Sequence, residues 1–121
     1  MKIMVVEDEK IKRVSLVDDL VSAYIRFFDE EPELARVYVL AALTGESSAN
    51  GGRRRFLRHH LRRVERFADA MARADKAISP EQSEVRAELL LGALDGLAFR
   101  WALDDEFDFA GFARLASEEL T

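Results

Sequence analysis

The chain has 121 residues, 49% hydrophobic and 34% charged, with a formal net charge of -5. That is enough for one domain with its own core, in ordinary globular proportions, and the negative balance disfavours nonspecific nucleic-acid binding by the chain as a whole. The absence of cysteine excludes disulfides, thiol nucleophiles and cysteine-based zinc sites, and with no apolar run of spanning length and no basic-then-apolar leader, a cytoplasmic protein without membrane contact is expected.

The first residues, Met-Lys-Ile-Met-Val-Val-Glu-Asp-Glu-Lys, place a β-branched-rich run, Ile3 to Val6, before an acidic cluster. Taken alone the run reads as a short buried strand. It has no partner strand elsewhere in the chain, so its backbone groups must be satisfied otherwise. Fraying, continuation as helix and pairing across a dimer axis are all open, as is a fusion scar. Residues 1–13 are therefore expected to form a strand-like or disordered leader, and residues 14–121 a helical domain.

Helical spacing begins at 14–28. Leu16, Leu20, Tyr24 and Phe27 share a face, and Val17, Val21 and Phe28 broaden it. Pro32 ends that helix and opens the next, with Glu33 in its first turn and Leu34, Val37, Tyr38, Ala41 and Ala42 as its apolar stripe. Glu46 to Gly52 reads as an exposed, mobile loop. A long helix over about 53–77 follows. Its apolar side is Leu57, Leu61, Val64, Ala68 and Met71, widened by Phe56, His60 and Phe67. Its other side carries Arg53, Arg54, Arg55, Arg58, Arg62, Arg63 and Arg66.

The helix over 80–103 organises the rest. Ser79-Pro80-Glu81-Gln82 is a strong start, because a proline at the first helical position lacks only an N–H that would be unpaired anyway. Two apolar stripes run along it. Leu90, Leu94, Leu97 and Trp101 form one; Leu89, Gly92, Ala93, Gly96, Phe99 and Leu103 form the other. A single small domain covers one such stripe with its own core, and a helix apolar most of the way round is buried on more sides. Glycine in a helix costs roughly 1 kcal/mol against alanine, so Gly92 and Gly96 mark a close backbone approach. Tight packing within one subunit and a two-fold dimer interface both account for it. Asp104-Asp105-Glu106 ends the helix, and 107–120 closes the chain with Phe109, Phe112, Leu115, Ala116 and Leu120 expected to face inward. Five helices on short connections make an all-α bundle.

No enzyme constellation stands out. There is no nucleophile elbow, phosphate loop or recognisable Ser/His/Asp set, so no catalytic residue is assigned and an enzyme is not expected. His59 and His60 point about 100° apart on a helix, and the residues four away from each are not metal ligands, so no metal or cofactor is expected. His60 reads as a satisfied histidine at the edge of the core, and as the best polar group to orient a ligand if a cavity exists. The arginine cluster reads as a solvated face that the acid-rich 29–33 segment could neutralise. The aromatic residues fill a core or line a pocket for an apolar or planar molecule.

Ile3 to Asp8 resembles the opening of a response-regulator receiver domain, in which a first strand delivers an acidic pair, here Glu7 and Asp8, to a magnesium site. The resemblance ends by about residue 20. No later stretch supplies the alternating strands and helices of that fold, so Glu7 and Asp8 read as plain solvated charges. From about Leu16 onward the chain resembles the C-terminal domain of TetR-family transcriptional repressors. Ala23-Tyr-Ile-Arg-Phe-Phe-Asp-Glu-Glu-Pro-Glu-Leu-Ala-Arg, the stretch from Leu89 to Asp104, and Phe107-Asp-Phe-Ala-Gly-Phe-Ala-Arg-Leu carry it. The resemblance implies an effector-binding and homodimerisation domain whose last two long helices pair with their copies. The pocket is then expected at Tyr24, Phe27, Tyr38, His60, Phe67 and Trp101, and the dimer interface at Leu89, Gly92, Ala93, Gly96, Phe99, Leu103 and Phe112. The three-helix DNA-binding domain of that family has no counterpart here, so specific DNA binding by this chain is not expected. An engineered or chimeric dimerisation unit without a ligand, and a remnant of a phosphorelay hybrid, are the alternative readings.

Overall fold

The computed structural model describes the backbone of residues 2–44 and 51–121, and side chains over 16–42 and 53–121. Five helices follow one another: α1 (Lys2–Glu30), α2 (Pro32–Thr44), α3 (Gly51–Ala74), α4 (Pro80–Leu103) and α5 (Phe109–Leu120). The described residues contain no strand. Ile3 to Val6 lies inside α1, so of the possibilities left open for this segment the structure has continuation as helix. With no partner strand in the chain, a helix is the way its backbone pairs its own N–H and C=O groups. The side chains of Glu7 and Asp8, and the loop expected before α3 up to Asn50, lie outside the described residues.

Local chemistry sets the breaks. Glu31 is the whole connection between α1 and α2. Its N–H donates to the Phe27 carbonyl at 2.9 Å and its carbonyl accepts from Ala35 N–H at 2.8 Å, so Pro32 costs no backbone bond. Helix α4 opens on a complete capping box. Gln82 N–H donates to Ser79 Oγ at 3.1 Å, and Ser79 N–H donates to Gln82 Oε1 at 3.0 Å. At the start of α5, Asp108 accepts from Gly111 N–H at 2.9 Å.

The core forms between α1, α3, α4 and α5, with α2 lying across α1 and α4. Leu90, Leu91 and Leu94 of α4 are fully buried, and each such side chain contributes roughly 1.5–3 kcal/mol by leaving water. Phe28 of α1 stacks on Phe109 of α5, with centroids 4.4 Å apart, and sits 4.9 Å from the Trp101 ring of α4. That aromatic group ties three helices together at one end of the bundle.

Several helices are rotated from the expected phase. In α1 the buried line is Val17, Val21, Ile25 and Phe28, while Leu16, Leu20, Tyr24 and Phe27 stand beside it, half-buried. In α2, Ala35 and Val39 are buried; Leu34 and Val37 are exposed. In α3, Leu57 and Leu61 are exposed, and Val64, Phe67, Ala70 and Met71 form the inner line. In α5, Phe112 and Leu115 point outward, and Ala113 and Ser117 take the buried positions. The physical reason is common to all four. Each helix is apolar over more than one stripe, so packing against the other helices decides which stripe is buried, and in α2 and α5 it selects small residues such as Ala35 and Ala113.

Candidate ligand cavity

Helices α1 to α4 form a half-open cavity of about 500 Å³. Its walls are largely aromatic: Tyr24, Phe27 and Phe28 from α1, Tyr38 from α2, and Phe56 and Phe67 from α3. The volume is within the range of small-molecule pockets. Tyr24, Phe27, Tyr38, His60 and Phe67 are thus brought together on one wall system. Trp101 is not. It lies just beyond Ala98, the last α4 residue to line the cavity, and is buried in the core instead. There it packs on Phe28 and carries the Arg36 guanidinium 5.1 Å above its ring centre. Trp101 thus lies outside the lining in which it was expected.

The main departure from the sequence reading is Arg63, expected on the solvated basic side of α3. Its side chain is only 8% exposed. Nη2 donates to Asp95 Oδ1 at 2.6 Å, Nη1 to Asp95 Oδ2 at 3.3 Å, and Nε to the Tyr24 hydroxyl. The guanidinium also lies 5.1 Å from the Tyr24 ring centre. The position was legible in the spacing. Phe56, His60, Arg63 and Phe67 recur at four, three and four residues, on one helical stripe. Burial alone would weaken the guanidinium as a base. Its bonds to Asp95 and the nearby Tyr24 outweigh this and hold its pKa above the ordinary value. The acid-rich 29–33 segment does not supply the counter-charge: Glu33 pairs with Arg36 at 3.1 Å, and among the described residues the α3 arginine paired with an acid outside its own helix is Arg63.

Breaking this pair from either side has unequal consequences. Asp95→Asn leaves a buried guanidinium without its counter-charge. The expected loss is about 2–3 kcal/mol, below the full range for a buried pair because the Asp95 side chain is 48% exposed. Arg63→Met leaves a carboxylate that can rehydrate, and should cost about 1 kcal/mol less. Urea denaturation of the two variants measures the difference. Equal losses would mean the pair is held mainly by solvent-exposed contact.

The tyrosines and histidines complete the polar lining. Burial pushes the Tyr24 phenol up to about 12, and the adjacent Arg63 only partly offsets it. An unfolded phenol releases its proton near pH 10, so the unfolded chain binds fewer protons than the folded one between about pH 10 and pH 12. The stability carried by neutral Tyr24 is intact below that window and is lost as pH rises through it. Tyrosinate absorbance followed alongside alkaline unfolding should show one phenol titrating with the loss of structure. Tyr38 Oη and His59 Nε2 share a 2.6 Å hydrogen bond. Burial, then the Arg63, Arg66 and Arg62 charges, lower the His59 pKa. His60 Nε2 lies 2.8 Å from Glu88 Oε1 of α4, so its ring is a satisfied wall of the cavity. His59, Arg66 and Asp95 were not singled out for this site from the sequence. His59 is adjacent to the stripe just described, but the Asp95 pairing spans two helices and leaves no local pattern.

On the opposite side of α4 the second apolar stripe is open. Leu89, Phe99 and Leu103 are 57%, 41% and 67% exposed, and Phe112 of α5 is 47% exposed. Gly92 and Gly96 are exposed too, and a Cβ added to either would meet no atom within 4 Å. Their glycines are therefore not explained by packing within the subunit. Ala93 is the exception, half-buried between the two stripes. Val85, Leu89, Gly92, Gly96, Phe99 and Leu103 follow one another at intervals of four, three, four, three and four, with no charge among them. That is the seam spacing of paired helices.

Comparison of the chain with protein-family models, curated proteins and solved structures returns no match. No helix among the described residues is long and apolar enough to cross a membrane.

Proposed function

We propose that this chain is the regulatory ligand-binding and homodimerisation domain of a cytoplasmic, TetR-like transcriptional regulator. The observation that carries the reading is the aromatic cavity of about 500 Å³ between α1 and α4, built around the Arg63–Asp95–Tyr24 cluster. A half-open cavity lined by six phenyl and phenol rings leaves apolar surface in water that a ligand would cover, and a ligand bridging four helices gives a means of changing their relative packing. The uncharged seam on α4, flanked by Phe112 and Leu115 of α5, supports two-fold pairing with a second copy. The negative charge balance is consistent with a domain that does not itself bind nucleic acid nonspecifically.

A thermal-shift screen with hydrophobic and planar small molecules tests the ligand reading. Binders should raise the melting temperature, with a stabilisation that grows as the logarithm of one plus their concentration over Kd. The same seam, taken alone, favours a dimerisation unit that binds nothing. That second reading predicts a dimer by light scattering and a flat response across the whole screen.

A further inference from the structure

The charges on the cavity wall are unequally used. Arg63 and Asp95 neutralise each other across a two-pronged contact. Arg66, three residues further along α3 and on the same cavity, is exposed and makes no ion pair among the described residues. Among the described residues Arg66 is thus the cavity-wall arginine without an ion pair, with Glu65 and Asp69 beside it in the adjoining groove, the ring of His59 close by and flat aromatic surfaces on the other sides of the cavity. The depressed basicity of His59 reports the same field, since after burial its next causes are the guanidinium groups of Arg63, Arg66 and Arg62.

We infer that the cavity takes a planar aromatic acid, its ring seated among the phenyl and phenol groups and its carboxylate paired with Arg66. This rests on the ligand-binding reading above and narrows it to one chemical class. A cationic ligand would have to approach Arg66 and the guanidinium of Arg63 in a partly desolvated space, where like charges are poorly screened. A neutral ring would fill the apolar volume but leave the Arg66 donors to water. A carboxylate makes charge-assisted hydrogen bonds that a neutral headgroup cannot match. Asp95 does not repel it strongly, because its own charge is already committed to Arg63.

The test uses one ring with three headgroups. Isothermal titration calorimetry of the intact chain with 2-naphthoate, 2-naphthamide and 2-naphthylmethylammonium compares an anion, a neutral isostere and a cation. Naphthoate should bind roughly tenfold tighter than the amide or better, with the cation weakest. Arg66→Gln, at an exposed position, should leave the melting temperature unchanged and bring naphthoate down to the amide's affinity. The acid's advantage should also shrink with added salt. Binding of all three with no preference for the acid, or a preference that survives Arg66→Gln, overturns the acid assignment while the ligand-binding reading stands. No binding of any of the three to folded protein overturns both.

Discussion

Phe99→Glu should convert the proposed dimer into a folded monomer, raising its dissociation constant at least about a hundredfold. The expectation follows from position and symmetry. Phe99 is 41% exposed on the uncharged seam of α4, so the monomer tolerates glutamate there with little loss. In a two-fold interface each copy contributes the same patch, so one substitution buries two carboxylates in apolar surroundings. Sedimentation velocity over a concentration series reads the change, and circular dichroism confirms that the helices persist. Gly96→Ala sharpens the result. Within the subunit an added methyl group meets nothing within 4 Å, so helix propensity should raise monomer stability by up to about 1 kcal/mol. If the facing backbone comes close, the same methyl group weakens self-association. A more stable chain that associates less well would place the two glycines at the contact. A wild-type chain that stays monomeric at high concentration would remove the dimer altogether.

Phe67→Ala should cost about 3–5 kcal/mol, a large share of the stability of a domain this size. Phe67 is 2% exposed and belongs both to the core and to the cavity wall. Its ring lies 6.2 Å from that of Tyr24, on the wall that also carries Arg63. Truncation removes the transfer energy of the ring and leaves a void that merges with the existing cavity, so neighbours have little to collapse against. Leu61→Ala is the control. Leu61 was expected on the same apolar side of α3, yet it is half exposed, and its truncation should change stability by no more than about 0.5 kcal/mol. Urea denaturation of the pair distinguishes the observed rotation of α3 from the one expected from the sequence. Equal losses would contradict the orientation that also places Arg63 in the cavity.

The cavity was expected from the resemblance and not from spacing, because Tyr24, Phe27, Tyr38 and Phe67 at helical spacing are equally suited to fill a core. Arg63 shares the helical stripe of Phe56, His60 and Phe67, but composition masked that signal, since among seven arginines each looks equally solvated. Only the opposing Asp95 on α4 and the hydroxyl of Tyr24 on α1 make one of them worth burying. Trp101 misled in the opposite direction, since a large aromatic on a core stripe is equally suited to a cavity wall and to the aromatic packing with Phe28 that it adopts.

The existence and the main breaks of the helices are properties of the sequence itself. Prolines at Pro32 and Pro80, the Ser79–Gln82 cap and the acidic stop after Leu103 act on backbone groups a few residues away, and such bonds form whatever else the chain does. The two-sided character of α4 is equally local, being a matter of spacing. The rotation of each helix about its axis was decided only in the tertiary structure. Where apolar residues occupy more than one stripe, spacing leaves several orientations nearly equal, and contacts between distant segments choose among them. Ala35 over Leu34, Ala113 over Phe112 and the burial of Arg63 beside Asp95 are all choices of that kind.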